Sequence, residues 1–97
     1  MAKVLVNHPI APDVFRMEVV ASDVAKYRKA GHFVIVRPVN GRERIPLTIA
    51  DANRDKGTIT LIYQVVGSTT AELSLIEPGG EIADVAGPLG LPTHIEK

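Results

Sequence analysis

"HFVIVRPVNGRERIPLTIAD", residues 32–51, is the stretch on which the fold turns. Its first half, "HFVIVRPV", is apolar on both faces and rich in β-branched residues, which is the composition of a buried strand. Asn40 and Gly41 follow, the dipeptide that best tolerates the positive φ angles of a tight hairpin turn. "RERIPLTIAD" then reads as the returning strand, and the segment predicts an antiparallel hairpin. One residue resists that reading. Pro46 has no N–H to give to a ladder, so it belongs at an edge, at a bulge, or where something other than a strand approaches. Two residues on, the Thr48 hydroxyl would face either a neighbouring strand or a ligand laid along the chain. Taken by itself, the segment does not decide between these, and an ordinary edge strand with a bulge is the plainer reading.

Period-two alternation continues on both sides of the hairpin. "KVLVNH" opens as a strand, and in "VFRMEVV" Phe15, Met17 and Val19 alternate with Arg16 and Glu18, giving one buried and one wet face. "SDVAKYRKAG" offers Ser22 or Asp23 as a helix cap, but Gly31 would end the helix within about two turns, and the segment reads as a loop or short turn. After the polar turn "ANRDKG", the stretch "TITLIYQVV" puts Ile59, Leu61, Tyr63 and Val65 on one face. In "GSTTAELSLI" Thr69 precedes Glu72 as in a capping box, and Leu73 and Ile76 have helical spacing, so a short helix begins near Thr70. "EPGG" closes it, "EIADVA" adds a sixth short strand, and "GPLGLP" is a glycine- and proline-rich exit. The expected fold is all-β: a six-stranded antiparallel Greek-key β-barrel with one short helix.

Composition narrows the function. A chain of 97 residues makes one domain with a modest core. Lysine plus arginine equals aspartate plus glutamate at 11 each, so no net field draws in nucleic acid or an anionic membrane. The absence of cysteine excludes disulfides, thiolate zinc sites and an iron–sulfur cluster held within these residues by its usual ligands. No apolar run approaches the ~20 residues of a bilayer span, and "MAKVLVNHPI" lacks the marks of a signal peptide, so a cytoplasmic protein is expected. His8, His32 and His94 are too scattered to suggest a metal site. Asp51 and Asp55 flank a turn and are read as serving it, and Tyr27 is read as a surface or core residue, with an adenine contact as its alternative.

The chemistry gathers at "VVGSTT", residues 65–70. A glycine leading into a hydroxyl-rich helix start presents N–H groups, a positive dipole end and side-chain donors, for which phosphate is the natural guest. Capping of the helix by Thr69 and Thr70 is the alternative.

Together, "GHFVIV", "RIPLTIAD", "IYQVVGSTT" and "GPLG", in this order and spacing, resemble the N-terminal FAD-binding barrel of the ferredoxin–NADP reductase superfamily. The resemblance covers nearly the whole chain and runs to the branch containing electron-transfer subunits of dihydroorotate dehydrogenase, sulfide dehydrogenase and NADH-dependent ferredoxin–NADP oxidoreductase. It implies that Pro46, Leu47 and Thr48 face the flavin ring and that Ile62, Tyr63 and Gln64 run beside the ribityl and adenosine portions. Gly67, Ser68, Thr69 and Thr70 would start the pyrophosphate-binding helix. The proline then interrupts pairing where a planar ring lies against the chain. Three positions depart from the pattern. Ile45 stands where many relatives carry arginine, with Arg44 one step earlier; Leu47 replaces the stacking tyrosine of plant-type members; and His32 replaces a glutamine and is read as structural.

The implied function is an FAD-binding domain of an oxidoreductase passing electrons between NAD(P)H and a ferredoxin or iron–sulfur partner subunit. An NAD(P)-binding α/β domain is expected after the barrel and is absent from these 97 residues, which should therefore not oxidise NAD(P)H alone. FMN in place of FAD is one alternative. A non-catalytic small β-barrel binding module, such as an oligonucleotide-binding-like barrel, is the other, although its expected basic and aromatic stripe is missing.

Overall fold

Valine, isoleucine and threonine recur at alternate positions along the chain, and their branched side chains favour extended backbone. The computed structural model, which describes residues 2–39, 41 and 43–90, accordingly contains six strands. These are β1 (Ala2–Ala11), β2 (Val14–Val20), β3 (Phe33–Pro38), β4 (Ile45–Asn53), β5 (Thr58–Gln64) and β6 (Glu81–Leu89), with helix α1 (Ser22–Tyr27) after β2 and helix α2 (Ser68–Ser74) after β5. They close into an antiparallel barrel in the order β1-β2-β5-β4-β3-β6, in which β2 lies beside β5 rather than β3. That is the expected Greek-key path.

The alternation decides which side chains fill the barrel. Met17, Val19, Ile59, Leu61, Val34, Val36 and Ile82 are fully buried, while Arg16 and Glu18 face outward and pair at 2.7 Å. At roughly 1.5–3 kcal/mol for each large aliphatic side chain removed from water, this layer is the main stabilising element. Strand β3 is buried on its Val34 and Val36 face, with Phe33 and Ile35 only half-covered on the other.

Three local expectations need correction. Residues 22–27 form a helix, not a loop, so the barrel carries two helices. Neither Ser22 nor Asp23 is the cap; Ala21 stands at that position with no side-chain bond. The helix holds because Val24 and Ala25 are buried against the barrel, and tertiary packing outweighs a missing cap in a segment this short. The β3–β4 hairpin forms, but its last ladder pair is Val36 with Ile45, so the link is longer than a two-residue turn. Asn40 lies outside the described residues. Gly41 is nonetheless needed, since a Cβ there would come within 2.9 Å of the Pro38 ring. Lastly, β6 does not end at Ala86 but continues to Leu89, which pairs with Phe33. His94 and the end of "GPLGLP" lie outside the described residues, and helix α2 starts at Ser68, slightly before the expected position.

One buried polar network ties α2 to the barrel wall. The Tyr63 hydroxyl donates to Asn7 Oδ1 at 2.8 Å, and Asn7 Nδ2 donates to the carbonyls of Leu73 and Ile76, also at 2.8 Å. Those carbonyls lie at and just past the C-terminal end of α2, where Asn7 adds a donor; the Leu73 carbonyl also accepts the Ile76 N–H at 3.2 Å. Burial pushes the Tyr63 phenol up from 10.0 to about 12, with the Asn7 hydrogen bond opposing part of the rise. The folded chain thus holds this proton more tightly than the unfolded chain. Its stabilising effect is complete below pH 10 and is lost as pH rises toward about 12. Tyr63→Phe is expected to lower the thermal midpoint at pH 7 by the loss of one hydrogen bond, about 0.5–1.5 kcal/mol. It should also flatten the fall in midpoint between pH 10 and 12, and an unchanged alkaline slope would show that another group titrates there.

Candidate functional site

Strand β4 changes partners halfway along. Its residues 45–48 pair with β3, from Val36↔Ile45 to Phe33↔Thr48, and none of them pairs with β5. From Ile49 onward the partner is β5, through Ile49↔Leu61, Asp51↔Thr60, Ala52↔Ile59 and Asn53↔Thr58, with a register irregularity between Ile49 and Asp51. On β5, residues 62–64 pair with β2 and have no partner on the β4 side. The two strands therefore part at Ile49 and Leu61.

Between them lies an open cleft of about 440 Å³. Ile45, Pro46, Leu47 and Thr48 form one wall, Ile62, Tyr63 and Gln64 the other, and Val66 and Thr70 come from the turn into α2. A second hollow of about 360 Å³, bounded by Gly31 and Phe33, shares Pro46 and Thr48 with the first. This gives the proline a physical role. Pro46 sits in register with Ile35 on β3, and its missing N–H costs nothing on the β5 side, where no ladder exists.

Size alone does not single out this cleft. A hollow of about 410 Å³ between the start of α1 and β6 is bordered by Ser22, Asp23 and Asp84. The lining distinguishes them: the β4–β5 cleft is walled by aliphatic side chains with a few polar groups among them, the usual character of a site for an organic ligand. Two of the aliphatics, Ile62 at 44% and Val66 at 77% exposure, stand open to solvent.

Of the ten expected contact residues, seven line the cleft: Pro46, Leu47, Thr48, Ile62, Tyr63, Gln64 and Thr70. The Tyr63 ring is buried and stacked on Phe15 at 5.8 Å between centroids, so the residue offers the cleft its backbone rather than its ring. Gly67, Ser68 and Thr69 lie next to the cleft at the start of α2 and do not line it. Gly67 has an extended backbone, φ −163°, and a Cβ there would meet nothing within 4 Å, so no contact inside the barrel calls for a glycine.

Two hydroxyls at this turn already have partners. Thr70 Oγ1 accepts the N–H groups of Val66 at 2.9 Å and Gly67 at 3.1 Å and donates to the Gly67 carbonyl, which makes it a cap. Thr69 Oγ1 donates to Glu43 Oε1 at 3.0 Å. The first helical bond of α2 runs from Ala71 N–H to the Gly67 carbonyl, so the N–H groups of Ser68, Thr69 and Thr70 lie ahead of the helical ladder.

The charged neighbours point elsewhere. Arg44 Nη2 donates to Asp84 Oδ2 at 3.1 Å, on the oxygen that also accepts from Arg37 Nε at 2.9 Å. The Arg37 hydrogen bond, with Arg44 beside it, holds the Asp84 carboxyl below the usual range. Arg44 is thus turned toward β6. His32 is buried and its Nδ1 accepts the Lys29 N–H at 3.1 Å, the structural role expected of it. Tyr27 is exposed, with the Lys26 ammonium 5.4 Å from its ring, and does not line the cleft. Asp51 accepts the Ala52 N–H. Among the described residues no three histidine, aspartate or glutamate side chains gather to hold a metal, and no helix is long and apolar enough to cross a membrane.

Sequence reading passed over Ile45, Val66, Gly31 and Phe33. The second valine of "QVVG" carried a usable signal: Val65 keeps the inward phase of β5, which forces Val66 out into the open.

Strand order, closure and the parted β4 and β5 make a closed six-stranded antiparallel barrel with one open seam, and its likeness to solved structures makes it a ferredoxin–NADP reductase-like β-barrel. The chain is homologous to electron-transfer subunits of oxidoreductases. It is 46% identical over 87 residues to the dihydroorotate dehydrogenase B (NAD(+)) electron transfer subunit homolog of Thermotoga maritima, covering 90% of this chain and 31% of that protein. It superposes with a TM-score of 0.93 and 42% identity on a chain of the NADH-dependent reduced ferredoxin–NADP oxidoreductase, solved in work on flavin-based electron bifurcation, covering 99% of this chain and 35% of that one. The siderophore-interacting protein of Acinetobacter baumannii, at 12% identity and a TM-score of 0.72 over 92% of this chain and 39% of that one, shares the fold. No family model matches. The chain spans about a third of the length of the curated relatives it matches.

Proposed function

We propose that these residues form the FAD-binding barrel of an oxidoreductase that passes electrons between NAD(P)H and a ferredoxin or iron–sulfur partner. The observation that carries the reading is the parting of β4 and β5, which leaves two backbone edges and an aliphatic cleft open. A fused planar ring would cover the exposed Ile62 and meet Pro46, Leu47 and Thr48 along its length. Gln64 and the backbone of Ile62 and Tyr63 would follow the ribityl chain, and Gly67, with open space where a Cβ would be, would admit the pyrophosphate close to Ser68, Thr69 and Thr70. The flavin supplies the electron chemistry, and the barrel binds and orients it. An NAD(P)-binding domain and an iron–sulfur partner subunit belong to the same proposal, supported by relatives about three times as long that are named as electron transfer subunits; a cytoplasmic setting is proposed with them.

One observation favours FMN instead. The Glu43 carboxylate on the Thr69 hydroxyl puts negative charge beside the helix start, where the second phosphate of FAD would come. Titration separates the two readings. FAD added to the chain should lose fluorescence on binding, with an affinity above that for FMN. Tighter FMN binding would favour the second reading, and no response to either flavin at high protein concentration would sink both.

A further inference from the structure

From the arrangement at the fork of the cleft we infer that Arg28 is the positioning residue that sets where β4 leaves β3 for β5, and so sets the spacing of the cleft walls. The inference deepens the flavin reading and rests on it only for its ligand arm. Arg28 follows α1 directly, and its N–H donates to the Val24 carbonyl as the helix ends. Its side chain reaches β4, where Nη2 donates to the Ile49 carbonyl at 3.2 Å and approaches the Ala50 carbonyl at 3.5 Å. Ile49 is the residue at which β4 changes partners. Its N–H is also held from the same loop, donating to the His32 carbonyl at 3.2 Å. Both main-chain groups of the pivot are thus tied to residues 28–32, the segment between α1 and the start of β3.

Ion pairing does not account for the arginine. The salt bridges among the described residues join Arg16 to Glu18 and join Arg37 and Arg44 to Asp84, and Arg28 is in none of them. Its Nε is buried with no partner among the described residues. A buried, unmatched N–H is costly, so the side chain is held in this pose by what its far end reaches. That far end is a pair of carbonyls at an irregular step of β4, whose direction decides how far residues 45–48 stand from residues 62–64. A long side chain with a planar, several-donor head spans from a helix end to two successive carbonyls, whereas an ammonium offers a point donor.

Arg28→Met and Arg28→Lys test this in the apo chain and with ligand. In the apo chain, amide exchange at Ile49 should speed up at least tenfold in Arg28→Met, while exchange at Met17 and Val19 on β2 holds, and Arg28→Lys should recover part of the protection. With ligand, Arg28→Met should weaken FAD, FMN and riboflavin by one shared factor, three- to tenfold, because the ring end of the cleft is common to all three. Unchanged exchange at Ile49, or acceleration spread evenly over the barrel, would overturn the inference, as would a loss confined to FAD. If no flavin binds the unaltered chain, the flavin reading fails and the exchange arm decides the positioning role by itself.

Discussion

Replacing Gly67 by valine is expected to weaken FAD binding about ten- to a hundredfold while FMN loses much less, because crowding a close contact costs ~1–3 kcal/mol and each 1.4 kcal/mol is a factor of ten. The geometry makes the substitution informative. Gly67 is extended at φ −163°, a conformation open to any residue, and a Cβ there meets nothing within 4 Å, so the apo barrel has no internal reason to refuse a side chain. The added methyls project into space that the proposal assigns to the pyrophosphate. Valine is a poorer helix cap than glycine, and that loss would act on both flavins alike. The ratio of the two affinities therefore isolates the pyrophosphate. Equal losses would remove Gly67 from the ligand. Thr70→Ala is a less selective probe than its sequence position suggests, since its hydroxyl caps the Val66 and Gly67 N–H groups and its removal should also lower the thermal midpoint of the apo chain.

What the sequence disclosed and what it hid follow from the range of the forces involved. Met17 and Val19 against Arg16 and Glu18, and Ile59, Leu61 and Tyr63 along β5, are legible because alternation is local and one face must be buried. Helix α1 was misread because its cause is tertiary: Val24 and Ala25 find a barrel to cover, and the caps its sequence offers, Ser22 and Asp23, are not the ones used. Pro46 was legible as a break in pairing but not as a one-sided break, since the intact β3 ladder and the absent β5 ladder appear only when three strands are placed together. Of the three hydroxyls of "GSTT", read as donors to an anion or as caps, that of Thr70 caps its own turn and that of Thr69 serves Glu43, a residue far away in sequence. Arg28 gave no signal, because its target is a carbonyl and any residue supplies one.

The largest expected effect concerns the nicotinamide. Loaded with FAD, these 97 residues should be reduced by NADH or NADPH more slowly than a complete reductase by several orders of magnitude, since fixed near-attack positioning supplies roughly 7–11 kcal/mol of such a barrier. The barrel offers one half of that geometry, a cleft whose Pro46 and Thr48 are shared with a second hollow beside Gly31 and Phe33. A dinucleotide also needs its own pyrophosphate held, commonly at a glycine-rich turn between strand and helix, and no G-x-G-x-x-G occurs in this sequence. Without that anchor the nicotinamide meets the flavin only by collision. The rate should then rise in proportion to NADH concentration with no plateau. Rapid mixing of FAD-loaded protein with NADH and with NADPH reads this directly, through bleaching of the flavin absorbance. A fast rate that saturates would mean that the hollow beside Phe33 binds the nicotinamide unaided, and that the second domain proposed for this protein has some other task.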